Sequence, residues 1–179
     1  SKMADQDELK DLYLLACLSS AVYSSPPELD QLVGILISDA VAVEFFENPE
    51  TDTQGAIIVG ADDIFVIFRG TESTKIKDWF VDLDVELMPT THGKIHSGFS
   101  LALDSVFASM FESMLNYLSL SNDRKITIAG HSLGGALAMI FAYESSMVGV
   151  ECDLVTFGAP QVGDDQWSDY MRRAFGRRH

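Results

Sequence analysis

Residues 125–143 read Lys-Ile-Thr-Ile-Ala-Gly-His-Ser-Leu-Gly-Gly-Ala-Leu-Ala-Met-Ile-Phe-Ala-Tyr, and this stretch decides the fold. It begins as a β-rich run, turns at a Gly-x-Ser-x-Gly motif and continues as a helix-forming sequence. A strand-to-helix turn of this kind is a nucleophile elbow, which holds its central serine on a sharp, rigid turn. We therefore interpret Ser132 as a nucleophile. Gly130 and Gly134 leave out the side chains that would crowd it.

The length and charge of the chain limit its class and its partners. We predict one domain over residues 1–179, because this length is enough for a single core. The 12 basic and 27 acidic residues give a formal charge of −15, which repels phosphate backbones and anionic bilayers. We therefore expect no nucleic-acid partner, whereas a neutral ester or an uncharged lipid surface stays compatible. The charge alone is equally explained by solubility.

The first residues and the apolar runs bear on localisation. The acidic residues near the start do not resemble a signal peptide, and the apolar runs are too short for a transmembrane segment. We expect a soluble protein and leave its compartment open. Cys17 and Cys152 lack metal-ligand spacing and are interpreted as free thiols. The glycine-rich residues 130–135 lack the lysine of a phosphate-binding loop, so we expect no cofactor and no metal.

The rest of the chain alternates between strand and helix patterns. Apolar residues at helical spacing predict helices at 5–23, 26–36, 103–118 and 163–175. Runs of β-branched and aromatic residues predict strands at 41–46, 56–59, 64–68 and 152–157, of which 56–59 and 64–68 form a hairpin. Residues 74–87 read as a short amphipathic helix and residues 88–93 as a loop. This alternation predicts an α/β fold with a largely parallel sheet.

Five segments together resemble the class 3 lipases of the α/β-hydrolase superfamily, which are typified by fungal triacylglycerol lipases. In this sequence they are residues 66–71 (VIFRGT), 76–83 (IKDWFVDL), 94–99 (KIHSGF), 130–135 (GHSLGG) and 156–163 (TFGAPQVG). The resemblance implies an α/β-hydrolase-like, mostly parallel sheet with helices on both faces. It also implies that the C-terminal strands of that sheet are missing from this chain.

The resemblance implies a serine ester hydrolase that acts on acylglycerols or related carboxylic esters. Ser132 is then acylated by the ester and deacylated by water. Leu133 supplies one oxyanion-hole N–H, which the elbow geometry requires independently. Thr71 matches the second oxyanion position, with a backbone N–H and a hydroxyl. The partner implied is a lipid or ester substrate at a neutral lipid interface.

The resemblance also changes the interpretation of residues 76–80. Periodicity alone favours a surface helix packed permanently on the core. In the family this segment is a lid, and here its apolar residues are Ile76, Trp79 and Phe80. We hypothesise that Arg69 and Asp82, which bracket the lid, pair in one of its positions.

The triad aspartate and histidine are not identifiable in this chain. Asp153 begins a strand, while Asp164 and Asp165 read as helix-start acids. In α/β-hydrolases the histidine follows the serine, and the one histidine after Ser132 is the terminal His179.

The other histidines do not fit the role of base either. His131 adjoins the nucleophile but points elsewhere by strand alternation, His92 lies in a loop, and His96 belongs to the 94–99 motif.

Three explanations of the incomplete triad stay open, and we favour the first. The chain is a fragment of a longer hydrolase; or a second chain completes the site; or the domain is an inactive relative that binds lipid or a protein partner. A sheet without its last strands exposes an edge, which allows a homodimer or a strand swap.

Overall fold

The computed structural model describes residues 39–70 and 86–176, together with four helical positions, Pro27, Gln31, Val33 and Gly34. Those four positions fall within the helix predicted at 26–36. The helix predicted at 5–23 and nearly all of the amphipathic segment 74–87 lie outside the described residues, as do Cys17, Thr71, Asp82 and His179.

The described chain alternates between strands and helices, as the sequence predicts. In chain order the elements are β1 (Ala42–Asn48), β2 (Thr53–Val59), β3 (Asp63–Phe68), β4 (Leu87–Thr90), β5 (Gly93–His96), α1 (Ser97–Leu120), β6 (Lys125–His131), α2 (Leu133–Met147), β7 (Asp153–Phe157) and α3 (Asp165–Ala174).

Five of the strands form the central sheet in the order β1-β2-β3-β6-β7. The pairs β1–β2 and β2–β3 are antiparallel, which confirms the predicted hairpin. The pairs β3–β6 and β6–β7 are parallel, because a helix returns the chain between the two strands of each pair. The α/β fold is confirmed, and its parallel part is the part that carries the elbow.

The core occupies both faces of this sheet. Side chains of one face pack with α1 and α2, among them Val66, Phe68 and Ile128. Side chains of the other face, including Ile58 and Ile67, form a second cluster with the helical residue Val33. Because both faces are covered, β3 is apolar almost throughout instead of alternating between apolar and polar residues.

Residues 88–93 are not the loop that the sequence predicts. They belong to a separate antiparallel hairpin of β4 and β5, which turns at Thr91 and His92. The hairpin is held by distant residues, since His96 N–H donates to Val162 O (2.8 Å) and Asp164 N–H donates to Lys94 O (2.9 Å). Pro89 and Gly93 are residue types that usually interrupt strands, so the local sequence predicts a loop here. The pairing with residues 162–164 cannot be recognised from the local sequence.

An aromatic cluster fixes the tip of this hairpin to α2 and α3. His92 stacks on Tyr170 with ring centroids 3.8 Å apart. Its Nδ1 lies 3.1 Å from the Tyr143 hydroxyl, so the two are hydrogen-bonded. Tyr143 also meets Trp167 edge to face at 5.7 Å. The hairpin, α2 and α3 therefore pack against one another through this aromatic cluster.

Helix α1 is the longest helix and confirms the prediction at 103–118. Its apolar stripe is core, because Leu103, Met110 and Met114 are buried against the sheet. The helix begins after His96, whose Nδ1 accepts hydrogen bonds from the N–H groups of Gly98 (3.0 Å) and Phe99 (3.4 Å). An imidazole can do this only while Nδ1 carries no proton. His96 is therefore a pH-sensitive N-cap.

We expect the free energy of unfolding to fall in acid partly because of His96. Burial lowers the pKa of its imidazole from the usual 6.5, so below that pH the unfolded chain binds the proton more readily than the folded chain. The contribution of the cap is then lost as the pH falls through the folded-state pKa. Replacing His96 by Ala should cost about 1 kcal/mol at about pH 8. Urea denaturation at about pH 8 and pH 5 measures both effects.

The matched control is His96→Asn, because asparagine caps helices well and does not titrate in this range. It should retain most of the stability at pH 8 and lose less of it on acidification than the wild type. Equal losses in the two proteins would contradict this role of His96.

Candidate active site

Ser132 lies on the turn between β6 and α2, in a backbone conformation that is unusual for a residue with a side chain. Its φ is 57° and its ψ is −122°. Its N–H donates to Phe157 O of β7 (2.8 Å), and its carbonyl accepts from Gly135 N–H (3.0 Å) and Ala136 N–H (3.3 Å). The strained conformation is thus held by hydrogen bonds on both sides of the turn. Strain of this kind is typical of a nucleophile elbow.

The glycines of the motif allow backbone segments to touch. A Cβ atom at position 130 would lie 2.2 Å from Gly134 O, and one at position 134 would lie 2.3 Å from Phe68 O. Gly130 therefore lets the turn close, and Gly134 lets the first turn of α2 lie against the end of β3. From the sequence, we expected side chains at these two positions to crowd Ser132. In the structure, they would instead clash with backbone atoms of α2 and β3.

The first amides of α2 and the end of β3 lie on either side of the elbow. Leu133 is the first residue of α2, and an amide at that position has no acceptor within its own helix. The N-terminus of a helix also favours negative charge. Gly70, the last residue described before Thr71, is buried at the end of β3. Ser132 itself is also buried, because only 6% of its surface is exposed.

Three histidines within the described ranges have other positions or partners. His92 binds Tyr143, His96 caps α1, and His131 is exposed on the last residue of β6. The structure does not bring any of them into a hydrogen bond with Ser132.

The carboxylates considered from the sequence also have structural roles. Asp164 caps α3 by accepting from Trp167 N–H (2.9 Å), and this hydrogen bond is the main reason why the pKa of its carboxyl is lowered. Asp165 lies in the first turn of α3. Asp153 pairs with Lys125 at 3.0 Å, where β6 and β7 begin.

A contact at the end of β3 was not predicted from the sequence. Arg69 N–H donates to Gln54 O (3.0 Å), and the Arg69 guanidinium donates to the Gln54 side-chain oxygen. The hypothesised partner of Arg69, Asp82, lies outside the described residues. The register of the predicted hairpin was the signal that could have found Gln54, because Gly55 pairs with Phe68.

A separate groove of about 930 Å³ lies at the opposite end of the sheet. Its lining includes Cys152, Asp153, Val150 and Phe175. Cys152 is a free thiol, as predicted, and burial together with the charge of Asp153 raises its pKa to about 12. A thiol with that pKa is a poor nucleophile at neutral pH.

Residues 39–70 and 86–176 contain no group of three or more His, Cys, Asp or Glu side chains arranged to hold a metal ion. Their helices are also not long and apolar enough for any of them to cross a membrane.

Comparison with known proteins gives the family. The sequence pattern of lipase (class 3) matches residues 65–178. The chain belongs to the class 3 lipase family. The lipase of Rhizomucor miehei is 30% identical over 130 residues, an alignment that covers 67% of this chain and 35% of that lipase. Phospholipase A1-II 3 of Oryza sativa subsp. indica is 31% identical over 172 residues, covering 70% of this chain and 39% of that protein.

A solved lipase structure supports the fold of this family member. Rhizomucor miehei triacylglyceride lipase superposes with a TM-score of 0.82 at 22% identity, covering 94% of this chain and 68% of that one. The α/β-hydrolase fold that the resemblance implies is therefore confirmed. The chain spans between 35% and 39% of the length of these two curated relatives.

We expect Gly134→Ala to destabilise the class 3 lipase fold by roughly 3 kcal/mol, because the new Cβ meets a backbone oxygen that cannot move aside. The clash is with Phe68 O at 2.3 Å. Gly34→Ala is the matched control, since a Cβ at that helical position meets nothing within 4 Å. It should leave stability unchanged or raise it by up to about 1 kcal/mol. Equal urea midpoints for the two variants would contradict the close packing of α2 on β3.

Proposed function

We propose that this protein is a serine ester hydrolase of the class 3 lipase type, which cleaves acylglycerols or related carboxylic esters through an acyl-enzyme on Ser132. The observation that carries the proposal is the positive φ of Ser132 on a turn between a parallel strand and a helix. Few residues with side chains adopt this conformation, and it persists only where the surrounding structure over-determines it. A nucleophile elbow is a known reason for it.

In the proposed reaction, Ser132 Oγ attacks the carbonyl carbon of the ester and passes its proton to a base. The tetrahedral oxyanion accepts hydrogen bonds from Leu133 N–H and from the N–H and hydroxyl of Thr71. When the intermediate collapses, the bond to the alcohol breaks and the base gives the proton to the leaving alkoxide. Water, deprotonated by the same base, then releases the acid and restores Ser132. Loss of one oxyanion donor typically costs about 10²–10³ in rate.

The substrate class follows from relatives and charge together. The relatives are named as lipases and a phospholipase A1. The formal charge of −15 disfavours an anionic surface, so we propose a neutral lipid interface. Residues 1–179 are proposed to form one domain.

We propose that the histidine base and the carboxylate that orients it come from outside the residues that the structure describes. The observation behind this is that His92 and His96 are engaged elsewhere and His131 is exposed. One alternative is a second chain, in a homodimer or strand swap, because within the described sheet β7 pairs only with β6. The other alternative is a non-catalytic domain that binds lipid or a protein partner.

A fluorophosphonate probe tests the nucleophile directly. We expect stoichiometric labelling of the protein at Ser132 and release of p-nitrophenol from short-chain and long-chain acyl esters. Ser132→Ala should abolish both, whereas Ser119→Ala, which removes an exposed hydroxyl from α1, should change neither. If the wild type neither labels nor releases p-nitrophenol, the enzyme interpretation fails for this chain.

We further propose that residues 76–80 form a lid whose apolar residues are Ile76, Trp79 and Phe80. Trp79→Ala should weaken adsorption to a neutral lipid emulsion about tenfold, because a buried aromatic side chain contributes about 1.5–3 kcal/mol at an apolar surface. Activity on a dissolved short-chain ester should change much less. Lys77→Ala, in the same segment, is the control. A similar loss on emulsion and on dissolved ester would argue against a lid.

A further inference from the structure

We propose that Gln54 is a positioning residue for the oxyanion site, and that it acts through Arg69. The inference rests on the proposed function, in which Thr71 supplies the second oxyanion donor. Arg69 and Gly70 connect β3 to that residue. Gln54 contacts no reacting atom in this proposal. Its effect is to hold the strand end from which the donor is presented.

The contact between Gln54 and Arg69 has two parts. Because Gly55 pairs with Phe68 in the antiparallel ladder, Gln54 lies opposite Arg69, one residue beyond β3. The backbones are joined by the hydrogen bond from Arg69 N–H to Gln54 O (3.0 Å). The side chains are joined by the guanidinium and the Gln54 amide oxygen, a charge-assisted hydrogen bond. Arg69 is therefore held at both its backbone and its side chain.

The end of β3 is held on both faces of the sheet. Side chains alternate along a strand, so Gln54 and Arg69 project to the same face as Ala56 and Ile67, which belong to the second core cluster. On the opposite face, α2 presses against the strand at Gly134, where a Cβ would lie 2.7 Å from Arg69 C. Residue 69 is thus fixed between Gln54 and the first turn of α2.

This double contact matters because two donors must converge on one oxygen. An oxyanion hole works when its donors lie about 2.7–3.1 Å from the position of the developing charge. Gly134 fixes the helix that carries Leu133 relative to β3. Without the Gln54 side chain, Arg69 would keep its backbone hydrogen bond to residue 54 but would lose the contact of its guanidinium with the Gln54 amide oxygen. We expect the donor that follows Gly70 then to be less well placed, with little effect on binding of the substrate.

Gln54→Leu keeps the size of the side chain and removes its acceptor. We expect kcat to fall about tenfold with KM unchanged, because even a 1 Å misplacement of catalytic groups can cost about 10²-fold. Fluorophosphonate labelling of Ser132 should slow by a similar factor. The backbone amide of Arg69 should exchange its hydrogen faster. Gln54→Glu, which keeps an acceptor opposite the guanidinium, should restore most of the lost rate.

Two controls separate positioning from general destabilisation. Thr51→Val removes a hydroxyl that lies 2.8 Å from Ser105 Oγ of α1, at the same end of β2 but away from β3. Its kcat should equal that of the wild type. In a double-mutant cycle with Arg69→Met, the double variant should be no slower than the slower single variant, since both changes break one contact.

The outcomes distinguish this inference from the proposed function. If the wild type labels and turns over but Gln54→Leu matches it in kcat, labelling rate and Arg69 exchange, the positioning role is wrong and the ester hydrolase stands. If the wild type does not label at all, the proposed function fails and this role of Gln54 fails with it. Additive losses in the double-mutant cycle would also overturn the inference.

Discussion

The structure depends on backbone-to-backbone contact at the elbow. At Gly130 and Gly134, the backbones of β6, α2 and β3 approach so closely that a Cβ atom at either position would clash with a backbone atom. The strain in the Ser132 backbone persists because Phe157 O on one side and the first amides of α2 on the other fix it. Strand β6 must therefore lie between β3 and β7, and α2 must begin directly after the turn that follows β6. The position of the candidate nucleophile is a consequence of this packing.

The described residues on either side of residues 71–85 are held in place by neighbouring elements. On one border, β3 ends at Phe68 and Gly70 is buried next to α2. On the other border, Glu86 O accepts a hydrogen bond from Ser97 N–H (2.9 Å), where α1 begins. The β4–β5 hairpin that follows is tied through His92 to α2 and α3. The described residues on both sides of residues 71–85 are therefore held by the rest of the domain.

The two ends of the sheet differ in chemistry. At the carboxyl ends of β3 and β6 lie Ser132, the first amide of α2 and residues 69–70. At the other end, the Lys125–Asp153 pair is exposed, and the thiol of Cys152 is kept protonated by burial. In open parallel sheets, ligands bind outside the carboxyl ends of the strands. The proposed chemistry lies at that end.

The sequence by itself determined the elements whose signal is local. The continuous apolar run of β3, the three-and-four spacing of α1 and the glycines around Ser132 are each patterns that lie within a few residues along the chain, and each was recognised from the sequence. Only the tertiary structure revealed the β4–β5 hairpin, because β5 also pairs with residues 162–164. Only the tertiary structure revealed the contact of Arg69 with Gln54. It also revealed why position 134 must be glycine. The atom that a side chain there would meet, Phe68 O, is distant in sequence and adjacent only after the sheet has formed.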